Sequence, residues 1–129
     1  MKILIVDDNQ NNQKLLSLFF SKQDFEVKTA SDADTAMNKL SKNIDLILID
    51  ANLSDTSGYD ICKKIKSIEE YKHTPIIIIS RDSNTDDIVK AFANGANDYI
   101  TTPFKLDDIF ERVQTQINLQ KINKQLREE

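Results

Sequence analysis

The hydrophobic residues of this chain fall into short runs separated by longer amphipathic stretches. Four runs stand out, at residues 3–6, 27–30, 46–49 and 76–79, and a weaker one ends at Ile100. Three of them are continuous in Ile, Leu and Val instead of alternating with polar residues. Such runs are typical of parallel strands that helices cover on both faces. We therefore predict five strands, most of them fully buried.

The segments after these runs carry apolar residues at the spacing of three and four that is typical of amphipathic helices. The sets are Leu15, Leu16, Phe19 and Phe20; Ala36, Met37 and Leu40; Ile61, Ile65 and Ile68; Ile88, Val89 and Phe92; and Leu106, Ile109, Phe110, Val113 and Ile117. Strand and helix thus alternate five times. This alternation predicts an α/β fold with a doubly wound parallel sheet, because each crossover helix must pack back on the sheet it left. Ser31 and Asp32 are expected to cap the second helix, and Gly95 to end the fourth.

Composition narrows the class of protein. A chain of 129 residues, 40% hydrophobic and 29% charged, is typical of one globular domain, and it has no apolar run near the ~20 residues that span a bilayer. The apolar start of the chain leads directly into Asp7 and Asp8, so we expect no signal peptide and a cytoplasmic location. A net charge of −4 without a basic block argues against binding to nucleic acid. The expected partner is a protein.

Polar side chains follow four of the predicted strands, at the sheet edge where binding sites of open parallel sheets lie. They are Asp7 and Asp8, then Asp50, then Ser80 and Arg81, and finally Thr101 and Thr102. Three carboxylates at one edge repel one another, so a hard divalent cation such as Mg²⁺ is the natural partner. A carboxylate beside such an ion can attack an activated phosphoryl group. Helix capping by Asp7 and Asp8, with Asp50 in a solvated loop, is the alternative.

Several stretches of the chain resemble the receiver domain of two-component response regulators. They are residues 5–9, 48–53, 58–59, 78–80 and 95–104, and the resemblance covers nearly all of residues 1–118. It implies a flavodoxin-like sheet with strand order 2-1-3-4-5 and five helices. It also implies a signalling domain that at most promotes its own phosphorylation and dephosphorylation, and not an enzyme acting on other substrates.

The resemblance gives the acidic residues specific roles. Asp50 takes a phosphoryl group from a histidine kinase or a phosphotransfer protein. Asp7 and Asp8 belong to a Mg²⁺ or Mn²⁺ site together with Asp50, and Asp8 is the expected direct ligand. Asn52 supplies a main-chain carbonyl to the same ion.

The resemblance also implies a conformational switch. Ser80 matches the hydroxyl that follows the phosphoryl group, and Tyr99 matches the aromatic residue that swings inward with it. A dianionic acyl phosphate that pulls on such a hydroxyl biases a two-state surface, here helix four, strand five and helix five. That surface is expected to contact a downstream protein or output domain, and a homodimer through it or through the last helix is compatible with the pattern.

The chain departs from the family pattern at several positions. Thr102 stands where the family normally has a lysine that contacts the phosphoryl oxygens, and Lys105 is expected to lie in solvent. Arg81 replaces a small residue; it either contacts phosphate in compensation or lies in solvent. Ser54 replaces a frequent proline, with little expected effect. Because of Thr102, a degenerate pseudo-receiver that binds partners regardless of phosphate is the alternative function.

Two backbone features complete the expectations. The resemblance implies a cis peptide bond between Thr102 and Pro103. At the other end of the domain, the docking face of helix five gives way to Gln120 and Lys121, and a new apolar stripe appears at Leu119, Ile122 and Leu126. Residues 119–129 are therefore expected to extend helix five as a coiled-coil linker to a partner helix or to an output domain outside this sequence, with a frayed terminus as the alternative.

Overall fold

Five parallel strands form the centre of the fold in a computed structural model that describes residues 1–128. The strands are β1 Lys2–Val6, β2 Glu26–Ala30, β3 Leu46–Asp50, β4 Ile76–Ser80 and β5 Asp98–Thr101. They lie in the order β2-β1-β3-β4-β5, and every neighbouring pair is parallel. The predicted doubly wound sheet and its strand order are confirmed.

Five helices connect and follow the strands. They are α1 Gln10–Lys22, α2 Ala33–Asn38, α3 Gly58–Lys66, α4 Thr85–Ala93 and α5 Leu106–Glu128, with a short 3₁₀ turn at Glu69–Tyr71. The helices α2 and α3 end before Leu40 and Ile68, so the predicted helical spacing ran too far there. Leu40 nevertheless packs against the core from the loop that follows α2.

Alternate residues of the buried strands point into two separate hydrophobic clusters, one on each face of the sheet. In β1, Leu4 and Val6 face the cluster shared with α2, α3 and α4, whereas Ile3 and Ile5 face the cluster shared with α1 and α5. Both faces are therefore covered, which explains why the strand sequences are continuously apolar.

The predicted helix ends agree with the structure. The Asp32 side chain accepts a hydrogen bond from the Thr35 backbone N–H at 2.7 Å and caps the N-terminus of α2. Gly95 follows the end of α4 with φ of 100°, a left-handed conformation that favours glycine. The bond between Thr102 and Pro103 is cis, as the resemblance implied.

The last helix continues well past the domain. Ile117 is 2% exposed, whereas Leu119, Ile122 and Leu126 are 46%, 51% and 64% exposed. The apolar stripe of the extension therefore faces solvent, as predicted, up to Glu128; Glu129 lies outside the described residues. Within residues 1–128, no helix combines the length and the apolar character needed to span a membrane.

Candidate functional site

A pocket opens at the carboxyl edge of the sheet, where β1, β3, β4 and β5 end. Most of the residues that the sequence singled out line it together: Asp7, Asp8, Asp50, Asn52, Ser80, Arg81 and Thr102. Because parallel strands end at the same edge, segments distant in the sequence meet there. The structure thus brings the predicted acidic, hydroxyl and guanidinium groups into one place.

The three aspartates form a compact acidic cluster. One carboxylate oxygen from each of Asp7, Asp8 and Asp50 lies within 4.8 Å of the others. Asp7 is 6% exposed, and Asp8 and Asp50 are partly exposed. Burial raises the pKa of Asp7 to about 6, and the negative charges of Asp50 and Asp8 act in the same direction. A hydrogen bond from the Asn9 backbone N–H opposes the rise.

Short-range hydrogen bonds from the backbone fix the direction of two of these carboxylates. The Asn9 N–H donates to Oδ1 of Asp7 at 2.9 Å, and the Asn52 N–H donates to Oδ1 of Asp50 at 3.0 Å. Each bond reaches from an aspartate to the residue two positions later, the geometry of an Asx turn at a strand end. These local hydrogen bonds therefore help to hold the Asp7 and Asp50 carboxylates at the pocket.

Ser54 orients the third carboxylate. Its backbone N–H donates to Oδ2 of Asp8 at 2.6 Å, and its hydroxyl donates to the same oxygen. A proline at this position could make neither bond, because it has no N–H and no hydroxyl. The sequence did not predict this contact between Ser54 and the acidic cluster. The contact joins residues 46 positions apart, so no local pattern could have announced it.

The donor set fits a hard divalent cation. All three side chains offer carboxylate oxygens, the ligands that Mg²⁺ prefers. The pKa of Asp7 is raised mainly by burial, and the charges of Asp50 and Asp8 add to the rise, so the fully ionised cluster is unfavourable without a counterion. A cation would remove this repulsion, so the residues present can bind a metal ion.

Gly58, the first residue of α3, allows the helix to approach the end of β3. A Cβ atom at Gly58 would lie 2.3 Å from the backbone oxygen of Asp50, well inside any normal contact. The Gly58 N–H also donates to the carbonyl of Ala51 at 2.9 Å. Only glycine fits here, and this explains why the motif after Asp50 contains it.

Ser80, at the end of β4, and Thr102, directly after β5, also line the pocket. Ser80 is 1% exposed, and its hydroxyl oxygen accepts a hydrogen bond from the Asp82 N–H at 3.0 Å. The Thr102 N–H donates to the Ser80 carbonyl at 2.8 Å, which continues the β4–β5 pairing beyond the strands. Lys105 is exposed and does not line the pocket, as expected. Arg81 is exposed at the rim.

Tyr99 lies inward. Its side chain is only 8% exposed, and its hydroxyl donates to the Asp82 carbonyl at 2.6 Å. The predicted switch aromatic is thus held by the backbone of the loop that follows Ser80. Sequence reasoning missed Asn12, which also lines the pocket; its only signal was its place one helical turn after Asn9, whose side chain caps α1 by accepting from the Asn12 N–H at 3.0 Å.

Comparison with known proteins gives a consistent result. Residues 3–114 match the model of the response regulator receiver domain family. The chain is 35% identical over 119 residues to response regulator ArlR of Staphylococcus haemolyticus, covering 92% of this chain and 53% of the relative. ArlR of Staphylococcus aureus strain Mu50 is 38% identical over 113 residues, covering 87% and 50%. The chain thus spans about half the length of these curated relatives.

A solved structure agrees over almost its whole length. The crystal structure of a two-component response regulator from Clostridium difficile superimposes with a TM-score of 0.85 at 28% sequence identity, covering 92% of this chain and 96% of that one. The strand order, the acidic cluster at the carboxyl edge and the family match converge. The chain belongs to the response regulator receiver domain family of two-component signalling proteins.

Proposed function

We propose that Asp50 accepts a phosphoryl group from a phosphohistidine of a histidine kinase or a phosphotransfer protein. The observation that carries the proposal is the convergence of the Asp50 carboxylate, Asp7, Asp8 and Ser80 in one pocket. In the transfer, an Asp50 oxygen attacks phosphorus as the P–N bond breaks, and the electron pair of that bond stays on the ring nitrogen. A proton already on the other ring nitrogen, or one taken from water, leaves the donor as a neutral imidazole, and Asp50 becomes an aspartyl phosphate. The domain thus promotes its own phosphorylation and does not act on another substrate.

The same residues are proposed to hold Mg²⁺ or Mn²⁺. Asp8 and Asp50 would be direct ligands, Asn52 would add its main-chain carbonyl, and Asp7 would complete the acidic surroundings. When bound, the ion would neutralise the negative charge that develops on the phosphoryl oxygens during transfer. Ser80 would donate its hydroxyl hydrogen to one of those oxygens.

Arg81 is proposed to compensate in part for Thr102. The Thr102 hydroxyl carries no charge, so the side of the pocket where the family has a lysine is left with only a neutral donor. Arg81 lines the rim of the same pocket, and its guanidinium can bind phosphate oxygens in a bidentate manner.

Phosphorylation is proposed to act through Ser80 and Tyr99 on the surface formed by α4, β5 and α5. Val89 and Phe92 are 59% and 47% exposed on this surface, which suits contact with a downstream protein, an output domain or a second copy. Residues 119–128 of α5 are proposed as the connection to further chain or to a partner helix, since the curated relatives are about twice as long.

The test is phosphorylation by a small donor, followed by intact mass. Incubation with Mg²⁺ and acetyl phosphate is expected to add about 80 Da, the mass of one phosphoryl group, to the wild type and not to Asp50→Asn. Asp55→Asn is the matched control, because Asp55 is an exposed carboxylate in the neighbouring loop and lies outside the pocket. It should be labelled like the wild type.

Absence of the adduct with acetyl phosphate and with a phosphohistidine donor would favour the competing pseudo-receiver hypothesis. An adduct that persists in Asp50→Asn would instead move the acceptor to another residue. Either result overturns the proposed role of Asp50.

A further inference from the structure

Tyr59, at the second position of α3, contacts Tyr99, one of the two proposed switch residues. Its side chain is 6% exposed, and its hydroxyl oxygen lies 3.3 Å from the hydroxyl oxygen of Tyr99. Nothing in the sequence patterns gave Tyr59 a role beyond its place next to Gly58. Burying two phenol hydroxyls against each other costs free energy unless both are hydrogen-bonded.

The direction of the hydrogen bond follows from counting hydrogens. Tyr99 has one hydroxyl hydrogen, and it donates this hydrogen to the Asp82 carbonyl at 2.6 Å. The Tyr99 oxygen is then an acceptor, so the Tyr59 hydroxyl must be the donor in the contact between the two. The order of donation is Tyr59 to Tyr99 to Asp82.

The same backbone unit of the loop also contacts Ser80. The Asp82 N–H donates to the Ser80 hydroxyl oxygen at 3.0 Å, while the Asp82 carbonyl accepts from Tyr99. Ser80 and Tyr99 are therefore linked through Asp82.

The acidity of Tyr59 agrees with this arrangement. Burial raises the pKa of the Tyr59 phenol above its usual range, and donation to Tyr99 acts in the same direction. Ser80 acts in the opposite direction and lowers the pKa of Tyr59. The Tyr59 hydroxyl therefore stays protonated and can donate to Tyr99 at any physiological pH.

Tyr59 also contacts α4. The ammonium of Lys90 lies 5.0 Å from the centroid of the Tyr59 ring, within the range of a cation–π interaction. The ring therefore touches α4, and its hydroxyl touches β5 through Tyr99.

We infer that Tyr59 is a positioning residue whose hydroxyl holds Tyr99 inward and couples it to Ser80. This inference rests on the proposed role of Tyr99 as the switching aromatic, and it adds that the inward position has its own hydrogen-bonded support on α3. Loss of the Tyr59 hydroxyl should loosen Tyr99 without disturbing the acidic cluster.

The experiment uses the full chain labelled with 3-fluorotyrosine, which places one fluorine probe on each of the three tyrosines. Saturation-transfer ¹⁹F NMR, without any phosphoryl donor, measures the ratio of outward to inward Tyr99. Tyr59→Phe removes one oxygen and keeps the ring, so we expect this ratio to rise about fivefold, the effect of one lost hydrogen bond. Tyr71→Phe is the matched control, since no side-chain hydrogen bond of Tyr71 is found within residues 1–128.

A ratio in Tyr59→Phe that stays at the wild-type value overturns the inference, and so does an equal rise in Tyr71→Phe. A second measurement covers general destabilisation. The effect of Tyr59→Phe on the unfolding equilibrium constant is expected to be about fivefold smaller when Tyr99 is already Phe, whereas equal effects in both backgrounds would mean no coupling.

Phosphorylation of Asp50 plays no part in this readout. A failure of the Tyr59 test with normal acetyl phosphate labelling overturns only the inference. A failure of labelling with a positive Tyr59 result overturns only the proposed function.

Discussion

Among single residues, Asp7 makes the stability of the metal-free protein depend on pH. The pKa of Asp7 rises from its ordinary value of 3.8 to about 6 in the fold, because burial and, after it, the charges of Asp50 and Asp8 oppose the charged form. Between these values the folded state binds a proton that the unfolded state does not. The contribution of Asp7 therefore stabilises the metal-free protein at low pH and is lost as the pH rises through about 6.

This sign gives a pH prediction for the metal-free protein. In EDTA, wild type should lose about 1.4 kcal/mol of unfolding free energy from this group between pH 5 and pH 7.5, relative to Asp7→Asn. Urea unfolding across that range measures the difference. Identical pH dependence in the two proteins would show that Asp7 titrates normally in the fold.

Thr102 carries a second prediction at this scale. Thr102→Lys should increase the rate of labelling by acetyl phosphate about tenfold, because a cation at contact distance stabilises the transferring phosphoryl group by a few kcal/mol before desolvation is subtracted. Thr102→Met, with similar length and no charge, is the control. Lys105→Ala should leave the rate unchanged, since Lys105 lies outside the pocket. If Met and Lys at 102 act alike, charge is not what the site lacks.

Individual site residues were predictable from sequence where the strand ends dictate their position. Asp7 and Asp50 follow buried strands, and backbone hydrogen bonds two residues away orient them. Ser54 and Tyr59 were not predictable, because their partners lie 46 and 40 positions away. No periodicity or local motif encodes such contacts, which depend on how loops and helix ends are placed after folding.

Among the elements, α5 combines two environments on one helix. Its first part buries Ile109, Val113 and Ile117 against the sheet, and its last part exposes Leu119, Ile122 and Leu126. The change from one face to the other was visible in the sequence, because helical spacing fixes which residues share a face. The early ends of α2 and α3 were not, since loop residues such as Leu40 can also bury apolar surface.

A matched pair of substitutions tests this division. Ile117→Ala should cost about 2–5 kcal/mol of unfolding free energy, because it leaves a cavity in a packed core. Ile122→Ala, the same change on the same helix at 51% exposure, should change the free energy by less than about 0.5 kcal/mol. Urea unfolding at low protein concentration measures both. A large cost at Ile122 would mean that its apolar face is covered in solution.

For the whole molecule, one sheet joins two hydrophobic clusters that lie on its opposite faces. The strands β1, β3 and β4 contribute residues to both clusters. If one cluster loses its packing, the other therefore loses part of the sheet against which it packs. The site at the carboxyl edge is part of the same unit. The molecule should therefore unfold in one cooperative transition.

Binding of Mg²⁺ at the edge should stabilise this whole unit. At ten times its dissociation constant the ion is expected to add about 1.4 kcal/mol to the unfolding free energy, with the same midpoint by circular dichroism and by tyrosine fluorescence. Asp8→Asn should abolish the gain, and Asp55→Asn should keep it. Midpoints that separate between the two probes, or a gain that survives in Asp8→Asn, would contradict this picture.

The length of α5 beyond its last buried contact has a mechanical consequence. About eleven residues follow Ile117 in the described helix, and at ~1.5 Å per residue they project roughly 16 Å from the domain. A tilt of about 10° at the docked base would move the far end by about 3 Å, nearly the width of a side chain. The helix is thus a lever, which converts a small rotation within the domain into a displacement large enough to change which residues meet at a distant surface.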